Sequence, residues 1–139
     1  MPKTQVTTFA EFMEQRKEAA SAYVRGESAP LSRIVATEGS ASFFGPSGGH
    51  VTGAQNVESD YRDGARVLGK GETHFEIVQM GDSDTLAFWT GIQRATASLG
   101  GSEPKPLDLR VTEIFHREGK DWKLIHRHAD QLVEPTVSR

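Results

Sequence analysis

An α+β fold, with helices on one face of a curved antiparallel sheet, is predicted by three observations. Helical periodicity and glycine or proline stops occupy the first half of the chain. Four long β-rich runs fill the second half, and no internal repeat or low-complexity tract interrupts them. The length of 139 residues, with 36% apolar and 25% charged side chains, suits one domain with one core. A single domain is expected over 1–139, with its core at about 8–132 and a short frayed tail at 133–139.

The first 26 residues read as a helix. Thr8 and Glu11 have capping-box spacing, Phe9, Phe12, Met13, Ala20 and Tyr23 recur on one face, and Gly26 stands where a helix stops. Pro30 opens a short second helix over 29–35. Ala41 to Phe44 predicts a short strand, ended by a glycine-rich loop at 45–49. No Lys-Ser or Lys-Thr follows that loop, so it is not a phosphate cradle, and His50 beside it is expected in exposed loop. Thr52 and Gln55 offer a second capping box ahead of Val57, Tyr61, Ala65 and Leu68 on one helical face. After Gly69-Lys70-Gly71, the strands are 74–80, 86–99, 107–117 and 122–132, divided by turn residues at 81–84, 100–106 and 119–120. The turn at 81–84 leaves undecided which face His74 and Glu76 share.

Composition excludes several classes of function. A net charge of −3 makes no electrostatic footprint for nucleic acid or an anionic membrane. With no cysteine there is no disulfide, thiolate metal site or cysteine nucleophile. No apolar run approaches the roughly 20 residues that span a bilayer, and Met1-Pro2-Lys3-Thr4 does not open a secretory signal. A cytoplasmic protein without a cofactor is expected.

The last hairpin turns at Gly119-Lys120, which sets Glu118 opposite Asp121 and Arg117 opposite Trp122. Carried on, that register puts Phe115 opposite Leu124, Glu113 opposite His126 and Val111 opposite His128. One face then holds Leu107, Leu109, Val111, Phe115, Trp122 and Leu124, with Glu113, His126, His128 and Asp130 among them. The other holds Arg110, Thr112, Ile114, His116, Lys123, Ile125 and Arg127. The first is the larger apolar surface and should meet the helices. Pairing Leu99 with Leu107 adds Gln93 opposite Glu113 and Ile92 opposite Ile114, with Trp89 nearby; a one-residue slip would reverse the face.

Directly opposed side chains have Cβ atoms roughly 5 Å apart, so Glu113 and His126 could share a proton as general acid and base. Burial in an apolar wall would raise the carboxyl pKa unless the imidazolium lowers it again. The same pair can equally be a satisfied polar element of the core. Tyr61 could donate to a ligand oxygen or be core, and Trp89 could be pocket wall or core. His126 and His128, with Asp130, have metal-ligand spacing, but no clear third ligand accompanies them elsewhere and no metal is assigned. Ile92, Ile114 and Ile125, flanked by Arg94, Thr112 and Arg127, make an outer apolar row that fits a homodimer.

The order of long helix, short helix, Phe-Phe strand, glycine-rich loop, helix and four strands resembles the SnoaL-like branch of the nuclear transport factor 2-like superfamily. The resemblance covers about residues 8–132 and is carried most specifically by Thr112, Gly119, Trp122, His126 and His128 within 110–130. The chain is similar to small bacterial proteins related to the association domain of calcium/calmodulin-dependent kinase II. What the resemblance implies is a cone-shaped, cystatin-like α+β fold, its sheet wrapped around the helices and a deep pocket, usually in a dimer. Ketosteroid isomerases, polyketide cyclases and epoxide hydrolases belong to the superfamily, but no complete catalytic set of theirs matches this chain. The association domain carries a pocket arginine where this chain has Glu113, so its preference for acidic ligands is not expected here.

The expected function is binding of a small, largely apolar molecule, with isomerase-, cyclase- or hydrolase-type chemistry by Glu113 and His126. Tyr61, Trp89, Gln93, His128 and Asp130 would line the pocket. The alternative is a non-catalytic association or ligand-sensing module that acts through oligomerisation.

Overall fold

The first long helix, α1 (Phe9–Tyr23), begins where its capping box predicts. Thr8 Oγ1 accepts from the Glu11 amide at 3.1 Å, and Glu11 Oε1 accepts from the Thr8 amide at 3.0 Å. Gly26 follows the helix at φ +94°, and a Cβ there would press on the Leu68 carbonyl oxygen at 2.8 Å. The computed structural model describes residues 7–135. Met1 to Thr4 and the last part of the expected frayed tail, 136–139, lie outside the described residues.

The second helix, α2 (Ala29–Ser32), carries Pro30 in its first turn. The third, α3 (Ala54–Ala65), buries Val57, Tyr61 and Ala65 on one face, but the expected Thr52–Gln55 capping box does not form. Gly53 is the N-cap, at φ +91°, with no side-chain cap. Thr52 instead ends a strand, and its carbonyl accepts from Asn56 Nδ2. That strand, β2 (His50–Thr52), pairs with β1 (Ser42–Phe44), so His50 is in the sheet rather than in loop.

Five further strands follow: β3 (Leu68–Asp82), β4 (Leu86–Leu99), β5 (Lys105–Pro106), β6 (Leu109–Glu118) and β7 (Asp121–Gln131). Leu68 opens β3 instead of extending α3. The strand order is β2-β1-β7-β6-β4-β3, with β5 on the edge of β4. The sheet is curved but not closed into a barrel: β2 and β3 remain its edges. It is also mixed rather than purely antiparallel, because β1 lies parallel to β7. The helices cover its concave face through a core in which Phe9 packs on Phe115 and Trp122, with ring centroids 5.2 and 5.4 Å apart.

Register shifts on β7 and β3 set which side chains point inward. From Glu118 back to Phe115 the β6–β7 register is the expected one, ending at Phe115 opposite Leu124. Ile125 is then an extra residue on β7, so Ile114 faces His126, Glu113 faces Arg127 and Val111 faces Ala129. Every β7 side chain beyond Ile125 changes face. Arg127 turns into the concave side, and His126, His128 and Asp130 turn out. Between β4 and β6 the register is displaced by four residues from the expected one, setting Trp89 opposite Glu113 and Gln93 opposite Leu109. An even displacement keeps the faces, so Gln93 and Glu113 still share the inner one.

On β3 the register shifts twice, between Gly69 and Glu72 and again at Val78, an extra residue next to Gly91 of β4. A Cβ on Gly91 would fall on the Glu76 carbonyl oxygen and lie 3.0 Å from the Val78 amide nitrogen, so only hydrogen fits there. Gly91→Ala should therefore cost about 2 kcal/mol or more of stability, the scale of forcing added atoms into a packed interior. Chemical denaturation of the two proteins measures this directly.

Candidate functional site

One position in the buried stripe of α1 is not apolar. Arg16 stands three residues after Met13 and four before Ala20, so the helix carries it into the core, where it is 3% exposed. Its partner is Glu113 of β6, which is fully buried. Arg16 Nε donates to Oε1 at 2.9 Å and Nη2 to Oε2 at 2.7 Å, a bidentate pair. Trp89, directly opposite Glu113 on β4, donates its indole N–H to Oε1 at 2.8 Å. Arg127, directly opposite on β7, donates from Nη1 to Oε2 at 2.6 Å. Four donors thus fill the roughly four lone-pair sites of one carboxylate. Arg127 Nη2 also donates to Gln93 Oε1 at 2.7 Å, and Gln93 Nε2 donates to Thr73 Oγ1 at 3.1 Å.

The charges follow from these contacts. Burial alone would push the Glu113 carboxyl up, but the guanidiniums of Arg16 and Arg127 outweigh it and hold the pKa at about 2. Burial likewise opposes the charge on Arg16, and Glu113 reverses that effect, leaving the Arg16 pKa raised.

Beside this network a cavity of about 490 Å³ opens between the helices and the concave sheet face. Its apolar walls are Leu31, Phe43, Leu68, Leu99, Leu107 and Leu109. Arg16, Arg127, Gln93, Tyr23 and Tyr61 supply its polar groups, and Asp60 is an exposed residue of its lining. The Tyr23 hydroxyl donates to the Tyr61 carbonyl at 2.8 Å. Gly64 faces that hydroxyl, and a Cβ there would collide with it. Burial pushes the Tyr23 phenol up to about 12 and the Tyr61 phenol up as well, so both stay neutral donors at ordinary pH. Arg16 Nη1 and the Tyr61 hydroxyl are buried without a hydrogen-bond partner among the described residues.

The expected Glu113–His126 dyad is not formed. The Ile125 bulge puts His126 on the convex side, where Nδ1 lies 2.7 Å from Ser42 Oγ and the ring packs on Phe44 at 4.9 Å. Burial, followed by the neighbouring His128, lowers its pKa. His128 and Asp130 are on the same outer side, 3.8 Å apart, and Asp130 is held in a bidentate pair by Arg110. They therefore do not line the cavity, and among the described residues no group of three His, Asp or Glu side chains is gathered for a metal. Trp89 does not line the cavity but stacks on Phe75 at 4.4 Å and donates to Glu113, while Tyr61 and Gln93 are lining residues. Of the expected outer row, Ile92 and Ile114 are on the convex side, Ile125 is the bulged residue packed against the core, and Arg127 is inside. His74 and Glu76 are on the convex side as well, where Arg94 Nε donates to Glu76 at 3.1 Å.

Arg16 and Arg127 are the residues that sequence reasoning missed. For Arg16 a signal was present: a lone charge in the middle of an apolar helical stripe. For Arg127 there was none, since its face depends on the bulge.

The SnoaL-like domain family matches residues 14–134. The chain belongs to that family. No curated protein matches its sequence. Among solved structures, this SnoaL-like domain is similar to a nuclear transport factor 2-like superfamily protein from Salmonella enterica, at 12% identity and TM-score 0.73, covering 94% of this chain and 97% of that one. A proposed calcium/calmodulin-dependent protein kinase type II association domain from Thiobacillus denitrificans aligns at 16% identity and TM-score 0.71, over 96% and 100% of the two chains. A proposed dehydratase of the nuclear transport factor 2-like family from Streptomyces avermitilis aligns at 20% and 0.69, over 91% and 100%. At these identities the likeness is one of fold. No helix of the SnoaL-like domain, among the described residues, is long and apolar enough to cross a membrane.

The buried carboxylate makes a pH prediction. In the unfolded chain Glu113 titrates near 4.3; in the folded domain it titrates at about 2. Its contribution to stability is therefore complete above the unfolded value and is lost as pH falls from about 5 through 2. Glu113→Gln, which leaves two guanidiniums uncompensated, should lose about 3–5 kcal/mol at neutral pH. Its stability should also fall less steeply over the acid range than that of the wild type. Urea unfolding measured across pH checks both outcomes.

Proposed function

We propose that this SnoaL-like domain binds a small, largely apolar molecule in the cavity between its helices and the concave sheet face, and that Glu113 holds the binding groups rather than acting as acid or base. The observation that carries the reading is the cavity, about 490 Å³ with six large apolar side chains on its lining. That volume falls within the roughly 300–1,000 Å³ of small-molecule sites. Both Glu113 oxygens are already occupied and its pKa of about 2 makes it a weak proton acceptor. The separation of Glu113 and His126 onto opposite faces also argues against their working together.

Association of two copies through the convex face is part of the same reading. Val78, 69% exposed, and Phe88, 36% exposed, extend the apolar surface of Ile92 and Ile114 there. Description of two structural neighbours as association domains agrees with it.

A neutral, environment-sensitive dye such as Nile red should bind the wild type with a blue shift. Leu107→Trp, which fills the cavity, should weaken dye binding at least about tenfold, or 1.4 kcal/mol. Ile92→Glu, on the far side of the sheet, should leave dye binding unchanged while shifting the sedimentation coefficient to that of a monomer. Dye binding that survives Leu107→Trp would remove the cavity from the function.

A further inference from the structure

The Tyr23 hydroxyl reaches the cavity wall with its proton already engaged. It donates to the Tyr61 carbonyl at 2.8 Å, so what its oxygen has left to offer is a lone pair. Helix α3 fixes its place, because it lies against the position a Gly64 Cβ would occupy. Asp60 stands four residues before Gly64, on the same face of α3, where Cβ positions are about 5–6 Å apart. The Asp60 carboxylate, open to solvent, and the half-buried Tyr23 oxygen are therefore neighbours, and Tyr23, Asp60 and Gly64 are all lining residues. An ionised carboxylate accepts only, so this corner of the cavity is a pair of acceptors. The donors further in are engaged with protein: Arg127 Nη1 with Glu113, Arg127 Nη2 with Gln93, and Gln93 Nε2 with Thr73.

Charge is balanced across the same region, with Arg16 and Arg127 set against Glu113 and Asp60. Burial is the largest influence on the Tyr23 phenol; after it come the Arg127 guanidinium and the Asp60 carboxylate, acting with opposite sign.

Resting on the ligand-binding reading above, we infer that the cavity takes an uncharged apolar alcohol, its hydroxyl donating to the acceptors that Asp60 and Tyr23 place side by side and its body lying against Leu68, Leu99 and Leu107. An ether or ketone would set lone pairs against lone pairs and leave its own oxygen unsatisfied. A carboxylate would bring a second anion beside Asp60, and an ammonium would add a positive charge within the field of Arg127. Asp60 is then the residue that selects for a donor.

Competition against bound Nile red at neutral pH separates these cases, with octanol, octyl methyl ether and octylamine as probes sharing one apolar chain. Octanol should displace the dye at least about tenfold more tightly than the ether, the scale of one hydrogen bond made or lost. The ether is the more apolar of the two, so simple partitioning works against that order. Octylamine should bind no more tightly than octanol. Asp60→Asn changes an exposed side chain and should leave the unfolding midpoint in place, while the preference for octanol over ether narrows to less than about threefold through weaker octanol binding.

Equal or tighter binding of the ether would overturn the hydroxyl assignment while leaving the cavity as the binding site. Tighter binding of octylamine than of octanol would overturn the neutrality of the ligand and make Asp60 the counter-ion of a cation. A full octanol preference in Asp60→Asn would overturn the role of that carboxylate. Failure of all three probes to displace a dye that Leu107→Trp abolishes would overturn the assignment too. If the dye itself binds elsewhere, the ligand-binding reading fails first.

Discussion

The carboxylate of Glu113, bound on both oxygens and buried among Arg16, Trp89 and Arg127, is the contact through which the two layers of the domain are organised. It joins α1 to three strands of the sheet at one point. Hydrophobic contacts around it, such as Phe9 on Phe115 and Trp122, tolerate sliding, but a bidentate pair inside a dry core does not. Stability alone is a poor reason for such a network. Removing two charges from water costs several kcal/mol per ion, and an apolar replacement of similar volume is often as stable. What an apolar replacement could not do is hold two guanidiniums at the wall of a cavity in a single orientation.

The two sides of the sheet divide the chemistry. The concave side has a closed charge network and an apolar cavity. The convex side has exposed apolar residues, surface ion pairs such as Arg110–Asp130, and the aromatic contacts of Phe44 with His50, His126 and His128. A single extra residue, Ile125, decides which group of β7 side chains goes to which side. Without it, His126 and His128 would face the helices and Arg127 would be outside. The open edges at β2 and β3 leave the sheet free to curl around the helices without closing, and that curl leaves room for the cavity.

Membership of the SnoaL-like family therefore says less about chemistry here than these side chains do. The same fold accommodates neighbours described as an association domain and as a dehydratase, with at most 20% identity to this chain. Function on such a scaffold belongs to the groups that line its cavity. In this chain the polar groups of that lining are arginine, tyrosine and glutamine, and both arginines bind an occupied carboxylate.

Much of this was legible in the residues. The capping box at Thr8, the apolar stripe of α1, the alternation along β6 and the turn at Gly119 depend on neighbours a few positions apart, and each appears where its pattern places it. Gln93, Glu113 and Trp89 were likewise assigned to the inner face, because alternation along one strand survives an even shift of register. The site's composition was not legible in the same way. No local pattern marks the bulge at Ile125, which exists only in the pairing of β7 with β6. Arg16 could meet Glu113 only once α1 lay across the sheet, 97 residues away in sequence. Local side-chain order determined the elements and their inner faces; long-range packing, through one unpaired strand residue and one buried charge pair, decided what the cavity contains.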